Sequence, residues 1–193
     1  MGPIAILYAT REGHTHKIAE HIAATLRGRG LDPEIHDLRD DAEPIVLQRF
    51  AGAVLAASVH FGKHEREMVA FVKAHRAEIE GMPAAFLSVN LAEAAVERTN
   101  ASPRDHAQFV ADLDNVIAHF FKETGWHPQR VKAVAGALLY TKYNVLLRFV
   151  MKQIAKQSGG DTDTSRDYVY TNWEGLDRFI DEFAKEIPAA AAR

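Results

Sequence analysis

The sequence predicts an α/β domain, a five-stranded parallel sheet wound on both faces by helices. Three observations lead there. Short apolar runs alternate with amphipathic stretches at helical spacing along the 193 residues. The first run, Pro3–Ala9, passes into a turn of threonine and glycine that opens directly into a helix. No internal repeat or low-complexity linker interrupts the alternation, so the chain reads as one domain, residues 1–188, long enough to bury a real core.

After the strand Pro3–Ala9, a helix over Gly13–Arg29 carries Ile18, Ile22 and Leu26 on one face. Gly30 and Pro33 end it, and Glu34–Leu38 reads as a short second strand. Ala53–Ser58 is a third strand and His64–Glu80 the helix that follows. Gly81 and Pro83 break the chain before a fourth strand, Ala84–Val89. A long helix over Pro103–Thr124 precedes the fifth strand, Val131–Leu139. Tyr168–Thr171 is a brief strand, Trp173–Ile187 the last helix, and Ala189–Arg193 a frayed tail. Five such units suit the flavodoxin-like strand order, in which a ligand lies beyond the carboxyl ends of the first, third and fourth strands. Those ends are Thr10–Thr15, Ser58–Gly62 and Ser88–Leu91.

The turn Thr10-Arg11-Glu12-Gly13-His14-Thr15 carries the sharpest chemistry. It sets unpaired amides at a helix N-terminus, where the helix dipole favours an anion. Gly13 allows close backbone approach, and Thr10 and Thr15 can donate from their hydroxyls. The turn lacks both the G-x-G-x-x-G of dinucleotide folds and the G-K-[ST] of triphosphate loops. One phosphate monoester held by amides and hydroxyls, with no obligatory lysine, points to FMN. The alternative is an ordinary capped strand-to-helix turn. The loop resembles the flavodoxin pattern [ST]-x-T-G-x-T, with Glu12 where that pattern has its middle threonine. A carboxylate beside a phosphate dianion is unfavourable unless it turns outward, so Glu12 is expected to serve through its backbone N–H.

A flat apolar ring needs stacking partners and a few donors. In Ser58-Val59-His60-Phe61-Gly62, Phe61 can stack, Gly62 permits close approach, and Ser58 or His60 can donate. In Ser88-Val89-Asn90-Leu91, Asn90 can bond the ring's pyrimidine edge, unless it merely forms a turn. Histidine is abundant, at ten residues, but neither His14-x-His16 nor His60-x3-His64 is completed by an acid or cysteine, and no metal site is expected.

Composition narrows the class further. With no cysteine the chain has no disulfide, thiol nucleophile or iron–sulfur cluster. No secretory leader and no apolar run of membrane-spanning length is visible, so the expectation is a cytoplasmic protein. The net charge of −3 hides an asymmetry. Between Glu123 and Asp161 there is no acid, while Arg130, Lys132, Lys142, Arg148, Lys152 and Lys156 are basic. Within this stretch, 140–160 forms an insert. Tyr143, Leu146, Leu147, Val150, Met151 and Ile154 repeat at helical spacing there, with Asn144, Arg148, Lys152 and Lys156 opposite. Two readings stay open, an interfacial helix on an anionic membrane and a helix packed on the domain. The missing acids favour an anionic surface or substrate, with Lys142, Arg148 and Lys152 as candidate contacts. No aromatic-interleaved basic groove suggests nucleic acid.

Beyond these features, Ala56–Gly62, Phe86–Leu91, Ser158-Gly159-Gly160-Asp161-Thr162-Asp163-Thr164 and Val169-Tyr170-Thr171-Asn172-Trp173, together with the turn at Thr10–Thr15, resemble the bacterial menaquinone-dependent protoporphyrinogen dehydrogenases. The similarity runs over nearly the whole chain, insert included, and the S-G-G-D-T-D-T segment is its most specific part. The resemblance implies an FMN enzyme oxidising protoporphyrinogen IX to protoporphyrin IX, six electrons leaving in three two-electron steps to a respiratory quinone. Peripheral association with the cytoplasmic face of the inner membrane is expected from the basic, apolar insert, and a homo-oligomer is a further expectation. No acid or base is singled out. Two rivals are a flavodoxin electron carrier and an FMN-dependent NAD(P)H:quinone reductase.

Overall fold

The computed structural model describes residues 2–40, 44–97, 102–157 and 160–187. The tail at 189–193 and the Ser158-Gly159 step of the S-G-G-D-T-D-T segment lie outside the described residues, as does the side chain of Ile154.

The main sheet is built from β1 (Ile4–Ala9), β2 (Pro33–Asp37), β3 (Gly52–His60), β5 (Ala84–Asn90) and β6 (Arg130–Ala135), in the order β2-β1-β3-β5-β6. All four pairings are parallel, as the alternating pattern predicts. Side chains alternate across it. Ile4, Ile6 and Tyr8 join one core with Ile18, Ile22 and Leu26 of α1 (His14–Gly28) and Leu176, Ile180 and Phe183 of α6 (Trp173–Ala184). Ala5, Leu7 and Ala9 face the other core, with Met68 and Val72 of α2 (Arg66–Glu80) and Phe120 of α4 (Pro103–Thr124). There Phe86 stacks on Phe120 at 4.3 Å between centroids, with Trp126 at the stack's edge.

The capping residues explain where the helices begin. Ser102 accepts the Asp105 N–H and is followed by Pro103, so α4 starts where the sequence predicts. Asn172 does the same for α6 through the Gly175 N–H. Three elements differ from expectation. The chain continues β3 to His60 and folds back as a hairpin with β4 (Lys63–His64). Leu91–Val96 is a short helix, α3, capped by Asn90. The fifth strand stops at Ala135, and the expected continuation to Leu139 belongs to β7 (Ala137–Leu138), paired antiparallel with β8 (Tyr168–Val169).

That small ribbon carries the insert. Leu138, Leu139, Tyr140, Tyr143 and Ala155 form a third core, packed against Leu91, Leu147 and Met151. Helix α5 (Val145–Gln157) therefore has an inner apolar face. It also has an outer one, because Val145, Leu146 and Phe149 are 84%, 75% and 60% exposed. The two readings of the insert are not exclusive: the helix packs on the domain and still presents apolar surface.

Candidate functional site

The carboxyl end of β1 runs into the turn at Thr10–Thr15, and Gly13 adopts φ 86°, ψ 6° at the N-cap of α1. No side chain caps this helix. Its first amides are therefore left for an external acceptor, and the left-handed cap turns them towards one side. Thr10 Oγ1 accepts the Gly13 N–H at 3.2 Å and pins the turn. Thr15 is 1% exposed, and its hydroxyl has no partner among the described residues. A buried, unmated hydroxyl costs about 1–3 kcal/mol unless something else satisfies it. An anion at the helix start does so.

Two loop carbonyls that could repel an anion are held by cations. Arg39 donates to the Thr10 carbonyl at 2.7 Å, and Lys142 Nζ to the Glu12 carbonyl at 2.9 Å. Lys142 is thus placed over the turn, rather than out on the insert surface where the sequence suggests a substrate or membrane contact. His14 is buried and donates through Nε2 to Thr171 Oγ1 at 2.7 Å, because that hydroxyl already donates to the Ala135 carbonyl. Burial, with a smaller push from Lys17, holds the His14 pKa down to about 4, so the ring is neutral and Nδ1 keeps its lone pair.

The second loop is the β3–β4 hairpin. Phe61 and Gly62 are its two central residues, at φ 49° and 72°, as a tight hairpin turn requires. An aromatic residue in this region is strained. Phe61 is also 92% exposed, which puts a bare apolar ring at the tip beside the turn of β1. Such a ring is suited to cover a flat ligand.

The two loops are tied together by charge. Glu65, at the start of α2, is 3% exposed and accepts from Arg11 Nε at 2.9 Å and from Ser58 Oγ at 3.1 Å. His60 lies between two carboxylates. Nε2 donates to Glu12 Oε2 at 2.8 Å, and Nδ1 is 2.6 Å from Glu65 Oε1, a close ion-pair contact out of line for a regular hydrogen bond. The Glu12 carboxylate does not simply turn outward, as expected; it swings sideways onto His60. Ser58 and His60, expected as donors to a ring, are committed to these acids.

Burial alone would pull the His60 pKa down, but the hydrogen bond to Glu12, the close Glu65 contact and the charge of both acids outweigh it and hold it up to about 9. Burial would raise Glu65; His60, Arg11 and Ser58 bring it down to about 2. The folded pKa of His60 exceeds the unfolded value, so its contribution is complete below pH 6.5 and lost as pH rises through 9. That of Glu65 is complete above pH 4.5 and lost as pH falls towards 2. The stability advantage of wild type over His60→Gln, measured by urea unfolding, is therefore expected to be largest below pH 6.5 and to shrink through pH 9. An advantage independent of pH across that range would show that His60 acts by shape alone.

The third loop is drawn inward. Ser88 is fully buried and bonded to His64 Nε2 at 2.9 Å. Asn90 caps α3 through the Glu93 N–H at 2.9 Å, and its amide returns to Ser88. Leu91 packs into the insert core. Val89 lies in the main core. These four residues brace the sheet end through their side chains. Arg148 is likewise drawn in, with Nη2 on the Tyr143 carbonyl at 3.1 Å, whereas Lys152 is exposed. Glu65, Arg39 and Thr171 have no individual sequence signal as site residues, because each meets the turn only through tertiary packing.

The flavodoxin domain family matches residues 5–165. The protoporphyrinogen IX dehydrogenase (quinone) of Escherichia coli strain K12 is 34% identical over 179 residues, 93% of each chain. That of Leishmania major is 32% identical over 180 residues, 93% of this chain and 73% of its own. Among solved structures, oxidised Flavodoxin 1 from Bacillus cereus superposes with a TM-score of 0.53 at 17% identity, covering 96% of this chain and 99% of its own. A short-chain flavodoxin associated with a bacterial microcompartment gives 0.53 at 12% identity, covering 97% of this chain and 100% of its own.

Proposed function

The chain belongs to the flavodoxin domain family and, within it, groups with the protoporphyrinogen IX dehydrogenases (quinone), and from that premise we propose an FMN-dependent oxidoreductase that converts protoporphyrinogen IX to protoporphyrin IX with a quinone as acceptor. The observation that carries the cofactor is the turn of β1, where a left-handed Gly13 and a buried, unmated Thr15 hydroxyl face a helix start that no side chain caps. The chemistry FMN supplies when bound is two-electron transfer between the tetrapyrrole and the quinone.

The protein's own work is placement. The amides of His14 and Thr15, with the Thr15 hydroxyl, hold the phosphate. Arg39 keeps the Thr10 carbonyl turned away, and the Arg11–Glu65 and Glu12–His60 pairs fix the β3–β4 hairpin against the turn. Phe61 covers a ring face from the hairpin tip. The FMN reading is tested by gel filtration of protein mixed with excess FMN: a flavin spectrum travelling with the protein is expected, and its absence refutes the reading.

The tetrapyrrole is a flat apolar macrocycle bearing two propionates, and the quinone is lipid-soluble, so we further propose that α5 docks on an anionic membrane. Among the described residues no helix is long and apolar enough to cross one. The outer face of α5 suits an interfacial position, with Val145, Leu146 and Phe149 exposed beside Lys152 and Lys156. Each lysine adds about 1 kcal/mol near an anionic leaflet, within a Debye length. Co-sedimentation with anionic vesicles is expected to fall as salt rises and to be lost in Leu146→Asp/Phe149→Asp. Binding indifferent to salt and to lipid charge would leave the lysines merely solvated.

A further inference from the structure

We propose that Lys142 is a ligand of the flavin nucleotide's phosphate, the residue by which this site prefers the phosphorylated flavin to riboflavin. The inference rests on the FMN reading above and assigns to the insert a part in cofactor selection.

Position comes first. Lys142 Nζ donates to the Glu12 carbonyl at 2.9 Å, and a Cβ built on Gly13 would lie 3.6 Å from it. The ammonium therefore stands at the uncapped start of α1, on the side where the Gly13 backbone is bare. An ammonium has three donors, and the carbonyl uses one of them.

Charge comes second. The other ionised side chains of the turn are already paired, Arg11 with Glu65 and Glu12 with His60. A phosphate dianion arriving at the helix start meets partial positive charge from the amides, the buried Thr15 hydroxyl and the Lys142 ammonium on the bare side of Gly13, while the Arg39 guanidinium stays on the Thr10 carbonyl. The unmated Thr15 hydroxyl is the independent sign that an acceptor belongs there.

Preorganisation comes third. A lysine side chain loses considerable freedom when it is held. Here the backbone that carries it is already bolted. Thr141 donates to Asp167 through both N–H, at 2.9 Å, and Oγ1, at 2.8 Å. Leu139 N–H donates to the Tyr143 hydroxyl, and the fully buried Tyr140 donates to the Asp161 carbonyl at 2.7 Å. The first turn of the insert is a rigid arm that delivers one cation to the phosphate turn.

The test measures affinity of apo-protein for FMN and for riboflavin by quenching of flavin fluorescence, at low and high salt. Wild type is expected to prefer FMN. Lys142→Met is expected to weaken FMN by about tenfold or more, to leave riboflavin unchanged and to lower the salt dependence of FMN binding. Lys122→Met, the loss of one charge on α4, changes neither flavin. A preference for FMN that survives Lys142→Met overturns the assignment while leaving the FMN reading intact. Equal weakening of both flavins also overturns it, by marking Lys142 as structural. Wild-type protein that takes up no FMN refutes the underlying reading and this assignment with it.

Discussion

Replacing Gly13 by valine is expected to weaken FMN binding by roughly a hundredfold or more and to leave the fold in place. The φ of 86° at this position is easy for glycine and costs a β-branched residue about 1–3 kcal/mol. Valine either keeps that strain or relaxes to negative φ, which rotates the first amides of α1 away from their common target. Its side chain also stands between the backbone and the phosphate. Strain and lost hydrogen bonds together reach about 3 kcal/mol or more, which is roughly a hundredfold or greater loss of affinity. The fold survives because the added Cβ meets no core atom; the neighbour within 4 Å is Lys142 Nζ. Titration with FMN reads the loss, and circular dichroism of the same sample reads the fold. A variant that keeps its yellow cofactor would separate the turn from flavin binding.

Deleting Asn144–Lys156 and closing the gap with a short Gly/Ser linker has the opposite signature. Lys142, Tyr143 and the Leu139 and Thr141 bonds that fix their turn are retained, the Arg148 bond to the Tyr143 carbonyl is lost, and closure entropy changes slowly with loop length. FMN binding is therefore expected to stay near wild type. Turnover of tetrapyrrole and quinone is expected to fall by more than about tenfold, a barrier increase above about 1.4 kcal/mol. The deletion removes Val145, Leu146 and Phe149, the exposed apolar face, and also Leu147, Met151 and Ala155 from the third core. Leu91 and Leu138 lose cover, so some stability is lost as well. Leu146→Asp/Phe149→Asp, which spares that core, separates the two effects. Unimpaired turnover in both proteins would remove α5 from the mechanism.

Much of this architecture was legible because it is local. The apolar runs of β1, β3 and β5, the Ser102-Pro103 start of α4 and the turn at Thr10–Thr15 are each written in neighbouring residues. The site's polar wiring was not legible, because its partners come together only across the sheet. Glu12 and His60 are 48 residues apart in sequence, Arg11 and Glu65 54, and Lys142 lies 130 from Glu12. The same packing reassigns Ser88 and Asn90. Asn90 is a plausible ring partner by sequence and Ser88 shares its loop, but His64 and the start of α3 claim their polar atoms. The insert shows the limit most clearly. Helical spacing predicts α5, but a widened apolar pattern does not say which residues face the domain. Leu147 and Met151 turn inward and Leu146 and Phe149 outward, because the ribbon β7–β8 and Leu91 are there to receive the first pair.

Turnover tests the proposed oxidation of protoporphyrinogen IX most directly. FMN-loaded protein is mixed anaerobically with protoporphyrinogen IX in the presence and absence of a quinone, and porphyrin fluorescence is followed. In parallel the same protein receives NAD(P)H and quinone. Porphyrin formation that depends on both protein and quinone, with little quinone reduction by NAD(P)H, is the predicted result. Rapid reduction of quinone by NAD(P)H with no porphyrin formed would contradict it and make the protein a quinone reductase on the same fold.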